Sequence, residues 1–261
     1  MDKRELAGVQ VPVYGQGTWK FQGGPESLKA GLELGLTHID TAELYTGAEE
    51  IVGKAIEGRR DEIFLVSKVK PNHASREGVR KACETSLQKL KTDRLDCYLL
   101  HWPGSIPLEE TIAGFEELRK AGKIRSYGVS NFDEEQLEEA VQIAGKGRIA
   151  CNQVLYNLNE RHVEAKLHPL CVKLGVALVG YSPFEGTDSP ALAEIAREAA
   201  ATPRQVALAF LTRLPQTFAI PKAAQVAHVK ENAKRIKLSA LQIATIEEAF
   251  PLEERDQLPM A

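Results

Sequence analysis

Alternation between strand-like and helix-like segments is the feature of this sequence that most constrains its fold. Apolar runs typical of β-strands recur along the chain, and segments with helical spacing of apolar residues fill the gaps between them. The eight runs cover residues 11–19, 37–40, 63–68, 95–101, 124–129, 149–154, 176–181 and 217–221. Such alternation predicts parallel strands connected by right-handed crossovers. Eight repeats within 261 residues predict an α/β fold, a (β/α)8 TIM barrel that forms a single domain over residues 1–261.

An open, doubly wound sheet is the competing architecture, because it also alternates strands with helices. Sheets of that kind that bind dinucleotides carry a GxGxxG turn after the first strand. Here Gly15-Gln16-Gly17 is only a fragment of that motif, and eight repeats favour closure into a barrel. The helical pattern at residues 238–250 predicts a last helix. The short tail, residues 251–261, is expected to lie on the surface.

Composition excludes several classes of function. The net charge is −3 with acidic and basic residues mixed throughout, so no surface for nucleic acid or membrane is expected. Residues 1–8 do not resemble a signal peptide, and no apolar run approaches the roughly 18 residues of a membrane span. The four cysteines form no CxxC pair and are expected to be buried thiols. We therefore predict a cytoplasmic protein without a metal site.

Polar side chains at or just after the ends of predicted strands carry the functional signal. Asp40, Tyr45, Lys68 and His101 occupy such positions, and strand ends in a barrel of this kind face one mouth. Each residue alone has a simpler interpretation. Asp40 is typical of a helix cap and Tyr45 of a packed loop residue. Lys68 is typical of a lysine that reaches the surface, and His101 of a core imidazole. Together they fit carbonyl reduction, in which a phenol protonates the developing alkoxide and an ammonium lowers the pKa of that phenol. Asp40 would hold Lys68, and His101 would orient the carbonyl oxygen.

Short motifs, in order along nearly the whole chain, resemble those of the aldo-keto reductase family. They are Gly17-Thr18-Trp19; His38-Ile39-Asp40-Thr41-Ala42 with Tyr45, Gly47, Glu49 and Gly53; Leu100-His101-Trp102-Pro103; Gly128-Val129-Ser130-Asn131-Phe132; Asn152-Gln153; Tyr181-Ser182-Pro183; and Ile220-Pro221-Lys222 with Glu231-Asn232. The resemblance implies an NADPH-dependent oxidoreductase that reduces aldehydes and some ketones, with Tyr45 as general acid. It also implies a monomer with a small-molecule carbonyl substrate.

The resemblance implies that Asp40, Tyr45, Lys68 and His101 are the catalytic four, and it also implies roles for other residues. Ser130, Asn131 and Gln153 would hydrogen-bond the nicotinamide carboxamide, and Tyr181 would stack on its ring. The remaining implied contacts are Ser182 with the pyrophosphate, Glu231 and Asn232 with the adenine, and Trp19 and Trp102 with the substrate. Taken without the resemblance, these residues are typical of helix caps, packed strand ends and solvated helix faces.

One segment departs from the family pattern. Many members follow the lysine at position 222 with serine and place arginine at position 228, and those groups bind the 2′-phosphate of NADPH. Here Ala223 lacks a hydroxyl, and His228 lacks the fixed fork of a guanidinium. We therefore predict that NADPH is used, with weaker discrimination against NADH than in the family. The short connection after His101 and the short tail predict an open substrate pocket for varied small aldehydes.

Two alternatives remain open at the level of sequence. The first is a nucleotide-binding regulatory subunit on the same fold, with little turnover. The second is an unrelated lyase on a barrel, because fold alone does not define function. The strand ends similar to nicotinamide-binding segments argue against the lyase. Turnover of an aldehyde separates a reductase from a regulatory subunit.

Overall fold

The chain folds into a closed barrel preceded by a hairpin. The computed structural model describes residues 2–253, 255 and 258–260. Strands β1 (Lys3–Leu6) and β2 (Val9–Pro12) form the antiparallel hairpin. The parallel strands are β3 (Gln16–Gly17), β4 (His38–Asp40), β5 (Phe64–Val69), β6 (Leu95–Leu100), β7 (Ile124–Ser130), β8 (Ile149–Leu155), β9 (Ala177–Tyr181) and β10 (Thr217–Ala219). Each pairs with the next along the chain, from β3 to β10.

Hydrogen bonds between the first and last parallel strands close the sheet. Tyr14, beside β3, forms a parallel bridge with Ala219 of β10. The Gly15 amide donates to the Ala219 carbonyl at 2.8 Å, and the Ala219 amide donates to the Val13 carbonyl at 3.0 Å. The predicted (β/α)8 barrel is therefore confirmed, and the open doubly wound sheet is excluded.

The predicted first strand is wrong in one respect. The apolar run at residues 11–19 is not one strand, because its start belongs to the hairpin and only Gln16–Gly17 joins the barrel. Leu6 and Val11 of the hairpin pack against the cluster formed by side chains inside the barrel, such as Phe64 and Cys97. The run thus combines two segments with different partners, a hairpin strand and a short barrel strand.

Helices cover the outside of the barrel. The described residues form α1 (Pro25–Glu33), α2 (Ala48–Ala55), α3 (Arg76–Leu90), α4 (Leu108–Lys120), α5 (Glu134–Ala144), α6 (Leu167–Leu174), α7 (Pro190–Glu198), α8 (Pro203–Leu211), α9 (Val226–Ala233) and α10 (Ala240–Ala249). Several helices begin with a side-chain cap, as in α8, where Thr202 and Gln205 form a capping box. None of the helices in the described ranges is long and apolar enough to cross a membrane.

Strand alternation decides which side chains reach the mouth of the barrel. In β5, Phe64 and Val66 belong to the cluster inside the barrel, whereas Leu65 packs in the cluster formed with the helices. Lys68, two residues after Val66, therefore also points inward, at the carboxyl end of the strand. The apolar interior thus forms a floor, and polar side chains lie above it.

The C-terminal tail does more than cover the surface. Leu258 packs against the hydrophobic core, and Met260 lines the cavity at the mouth of the barrel while 59 % exposed. Met260 therefore lies on the surface as expected, whereas Leu258 is partly buried against the core. The tail returns to the mouth because its apolar residues find partners there.

Candidate active site

A cavity of about 620 Å3 lies at the carboxyl ends of the strands. Its volume is within the range of small-molecule sites, and its position is that of the active site in barrels of this kind. Most of the residues predicted from the sequence line it: Trp19, Asp40, Tyr45, His101, Trp102, Ser130, Asn131, Gln153, Tyr181, Ser182 and Lys222. The structure therefore brings together side chains that are up to 203 positions apart in the sequence, from Trp19 to Lys222.

Lys68 and Asp40 form a buried ion pair beneath the cavity. The Lys68 ammonium donates to Asp40 Oδ1 at 2.5 Å and to the Thr41 carbonyl at 3.0 Å. Gln153 Nε2 donates to the other carboxylate oxygen, Oδ2, at 2.7 Å. Burial lowers the pKa of Lys68, but Asp40 and Tyr45 outweigh that effect, and the net pKa is raised. The ammonium is therefore charged at neutral pH although its side chain is fully buried.

Tyr45 stands between this ion pair and the cavity. The Lys68 Nζ lies 5.1 Å from the centre of the Tyr45 ring. Burial raises the pKa of the Tyr45 phenol, and Lys68 opposes that rise without cancelling it. The expectation of a pKa below that of a free phenol is therefore not met. Tyr45 carries its proton at neutral pH, which is the state required of a proton donor.

His101 is a neutral imidazole in this environment. Its Nε2 lies 3.4 Å from the Tyr45 hydroxyl oxygen, and the two rings meet edge to face. Burial, reinforced by the nearby charge of Lys68, lowers the pKa of His101 to about 3. Neutral imidazole keeps one N–H to donate, so His101 can hydrogen-bond an oxygen placed beside Tyr45. It cannot serve as a cationic acid near pH 7.

A chain of amides and hydroxyls forms another wall of the cavity. Tyr181 Oη donates to Asn131 Oδ1 at 2.9 Å, and Asn131 Nδ2 donates to the His101 carbonyl at 3.0 Å. Ser130 Oγ donates to the Gln153 carbonyl at 2.8 Å. These bonds fix the side chains predicted to hold the nicotinamide, so that little ordering is needed when a ligand binds.

The backbone at two of these positions is left-handed. Asn131 has φ 59° and Ser182 has φ 51°, each directly after a strand. Such values are uncommon for residues other than glycine, although asparagine adopts them more readily. Both residues line the cavity, so the chain turns at its rim at these two positions.

Three predicted cofactor residues and Lys68 do not line this cavity. Lys68 lies below it, and His228, Glu231 and Asn232 lie on α9. Glu231 is held by α8, because Thr202 Oγ1 donates to its carboxylate at 2.6 Å and Gln205 Nε2 donates to its carbonyl at 2.9 Å. Asn232 Oδ1 is buried and accepts no hydrogen bond from the described residues.

Other cavity residues carry no signal in the sequence. They are Leu44, Phe184, Glu185, Arg204 and Met260. They lie in loops, on α8 or in the tail, where no strand end marks them. Within the described ranges, no group of three or more histidine, cysteine, aspartate or glutamate side chains could hold a metal ion.

The fold and the cavity define a (β/α)8 barrel with a protonated phenol at its mouth, and comparisons with known proteins place the chain in a family. The model of the Aldo/keto reductase family matches residues 15–188. Methylglyoxal reductase YeaE of Escherichia coli is 43% identical over 93% of this chain and 92% of its own length. Glyoxal reductase of Bacillus subtilis is 35% identical over 87% of this chain and 83% of its own length.

Solved structures agree with the sequence comparisons. An aldo-keto reductase from Klebsiella pneumoniae in complex with NADPH superposes with a TM-score of 0.94 at 40% identity and covers 100% of both chains. A thermostable aldo-keto reductase, Tm1743, in complex with the inhibitor epalrestat has a TM-score of 0.88 at 42% identity, covering 95% of this chain and 99% of its own. The chain belongs to the aldo-keto reductase family and is an oxidoreductase of that family.

Proposed function

We propose that this protein reduces small aldehydes, including 2-oxoaldehydes such as methylglyoxal, to alcohols with NADPH, and that Tyr45 is the general acid. The observation that carries the proposal is one juxtaposition. The Tyr45 hydroxyl lies on the cavity, 3.4 Å from His101 Nε2, above a buried ion pair of Lys68 and Asp40. NADPH bound in the cavity supplies the hydride.

The route of the proton follows from this arrangement. Tyr45 gives its proton to the carbonyl oxygen as that oxygen gains negative charge, and the phenolate that remains lies beside the Lys68 ammonium. Asp40 keeps the ammonium charged and in place. His101 donates a hydrogen bond to the same carbonyl oxygen and orients it toward Tyr45. Solvent returns a proton to Tyr45 after the alcohol leaves.

The cavity fits a dinucleotide phosphate in the chemistry of its walls. Lys222 and Arg204 supply positive charge, Tyr181 supplies an aromatic face, and Ser130 and Asn131 supply polar groups beside it. Outside this cavity, on α9, the buried Asn232 Oδ1 accepts no hydrogen bond from the described residues, so it can take a donor such as the amino group of adenine. Structures of similar proteins contain NADP or NADPH. We propose that NADH is accepted less efficiently.

Small aldehydes suit the outer part of the cavity. Trp19, Leu44, Trp102 and Met260 give it apolar walls, of which Trp19 is 37% and Met260 is 59% exposed. Open walls offer little contact area to any one substrate, so we expect broad acceptance and weak binding. Two similar proteins carry the names methylglyoxal reductase and glyoxal reductase. The predicted monomeric state and cytoplasmic location remain proposals from the sequence.

The test follows NADPH oxidation with methylglyoxal for the wild type and Tyr45→Phe. We expect kcat to fall about 10²–10⁴-fold, the usual contribution of a positioned acid. NADPH affinity, measured by quenching of protein fluorescence, should change less than about threefold. Tyr98→Phe is the matched control, because Tyr98 is a buried tyrosine that packs against Phe115 outside the cavity.

The outcomes separate the three candidate functions. Tight NADPH binding without turnover of any aldehyde would favour the regulatory subunit. Absence of binding would exclude a nicotinamide-dependent reaction and reopen the lyase. Equal losses in Tyr45→Phe and Tyr98→Phe would contradict the role of Tyr45 as the proton donor.

A further inference from the structure

Arg204 differs from the other arginines of the chain. Each of the others contacts a carboxylate or a backbone carbonyl among the described residues. Among the described residues, the Arg204 guanidinium contacts neither a carboxylate nor a backbone carbonyl. Its Cζ lies 4.9 Å from the centre of the Phe184 ring. A guanidinium carries five N–H donors, so these donors are available to a ligand.

The place of Arg204 indicates what kind of ligand that is. It lies on the wall of the cavity, together with Lys222. Of the lysines and arginines in the described residues, these two line the cavity, and Glu185 is an acidic group on the same wall that forms no ion pair with either. Asp40 is already neutralised by Lys68. This wall therefore suits an anion that can accept bidentate hydrogen bonds, such as a phosphate group.

Contacts between helices place Arg204 at the adenosine end of the proposed cofactor site. Thr202 and Gln205, which flank Arg204 at the start of α8, both hydrogen-bond Glu231 of α9. Glu231 is a residue predicted to reach the adenine. The 2′-phosphate, which distinguishes NADPH from NADH, is attached to the ribose next to that adenine. Arg204 lines the cavity, whereas neither Glu231 nor His228 does.

We propose that Arg204, with Lys222, binds the 2′-phosphate of NADPH and supplies the guanidinium that position 228 lacks. The Phe184 ring holds the guanidinium plane in position for this contact. This inference rests on the proposed use of NADPH. It assigns the preference for NADPH to a residue on α8 rather than to the histidine on α9.

Direct binding tests the assignment without reliance on turnover. Dissociation constants for NADPH, NADH, 2′,5′-ADP and AMP are measured by calorimetry or fluorescence for the wild type and Arg204→Gln. We expect affinity for NADPH and 2′,5′-ADP to fall about 10–100-fold, the size of charge-assisted hydrogen bonds. Affinity for NADH and AMP should change less than about threefold. In turnover, the KM for NADPH should rise while kcat stays within about twofold.

Further variants make the result specific. Arg204→Lys should lie between wild type and Arg204→Gln, because an ammonium keeps the charge but loses the fork. His228→Ala should reduce NADPH affinity less than Arg204→Gln does. Arg197→Gln is the matched control for charge, since Arg197 lies on α7, exposed and paired with Glu194.

Three results would overturn this assignment. Equal losses of NADPH and NADH affinity in Arg204→Gln would show a contact with the shared part of the cofactor. A larger loss in His228→Ala would return the 2′-phosphate to α9. Failure of the wild type to bind NADPH would refute the proposed function itself, whereas normal binding and turnover in Arg204→Gln would refute only this assignment.

Discussion

At each end of the barrel a carboxylate is buried, and the two are used differently. Asp40 at the mouth and Asp96 at the start of β6 are both 2% exposed. Asp96 accepts from Arg60 at 2.7 Å, from Arg125 at 2.8 Å and from the Leu65 amide at 3.0 Å. Its hydrogen-bond and ion-pair partners among the described residues are two guanidinium groups and a backbone amide, none of which exchanges a proton near neutral pH.

The ion pair at the mouth has a neighbour that can titrate. The ammonium paired with Asp40 lies beside the Tyr45 phenol, and that phenol opens onto a cavity. A buried ion pair is thus weak evidence for function by itself, because both ends of this barrel have one. What distinguishes the mouth of the barrel is a protonated phenol, Tyr45, that lies beside the ion pair on one side and lines the cavity on the other.

Lys68→Met should give the largest effect, and it separates what the ion pair contributes to activity from what it contributes to stability. We expect kcat to fall at least about 100-fold, because the phenolate loses its ammonium. The free energy of unfolding should fall by about 3–5 kcal/mol, because the Asp40 carboxylate is left buried without its cation. Adding Asp40→Asn should restore much of the stability and none of the activity. Urea unfolding and NADPH oxidation measure both; recovery of activity in the double variant would contradict the role of Lys68.

Asp96→Asn makes the complementary change at the base of the barrel. It leaves the guanidinium of Arg60 near a neutral amide, so the free energy of unfolding should fall by about 3 kcal/mol. The kcat of the folded fraction should stay within about twofold of wild type, because Asp96 does not line the cavity. A large change in kcat without a loss of stability would show that the base is coupled to the chemistry.

Much of this organisation follows from the sequence. Alternation of runs predicts the barrel, because strand and helix periods are local properties, and strand ends predict the catalytic four. The split of residues 11–19 between hairpin and barrel was missed, because an apolar run does not specify its partners. Arg204 was missed for a related reason: it follows a helix cap, and only tertiary packing brings it to the cavity. The pKa of Tyr45 is raised rather than lowered because the phenol is buried, and a short motif does not show how deeply a side chain is buried.

Acid should weaken the fold through two buried histidines, His38 at the start of β4 and His101 at the mouth of the barrel. Burial lowers the pKa of His38 to about 4 and that of His101 to about 3, below the 6.5 of an unfolded chain. At a pH between the folded-state pKa and 6.5, the unfolded chain binds more protons than the folded protein. The free energy of unfolding therefore decreases as the pH falls below 6.5. Each histidine should cost about 2 kcal/mol between pH 7 and pH 5.

A matched variant isolates the contribution of one histidine. Burial raises the pKa of Glu49, which acts in the opposite direction, so the comparison must be made between variants. Urea unfolding of wild type and His38→Leu at pH 7 and pH 5 gives the difference directly. The variant should lose about 2 kcal/mol less on acidification. Equal losses in the two proteins would contradict a neutral, buried His38.

Backbone strain gives the smallest effect and compares the two ends of the barrel once more. Ser182 at the rim of the cavity has φ 51°, and Lys91 at the end of α3 has φ 52°. Replacing either by glycine relieves a left-handed conformation, at a cost in the freedom of the unfolded chain, so each should gain about 0.5 kcal/mol or less. Lys91→Gly should leave the KM for NADPH unchanged, whereas Ser182→Gly should raise it, because Ser182 lines the cavity. Measured together, the two variants show whether the Ser182 side chain takes part in binding. If both leave the KM unchanged, the Ser182 hydroxyl does not contribute to cofactor binding.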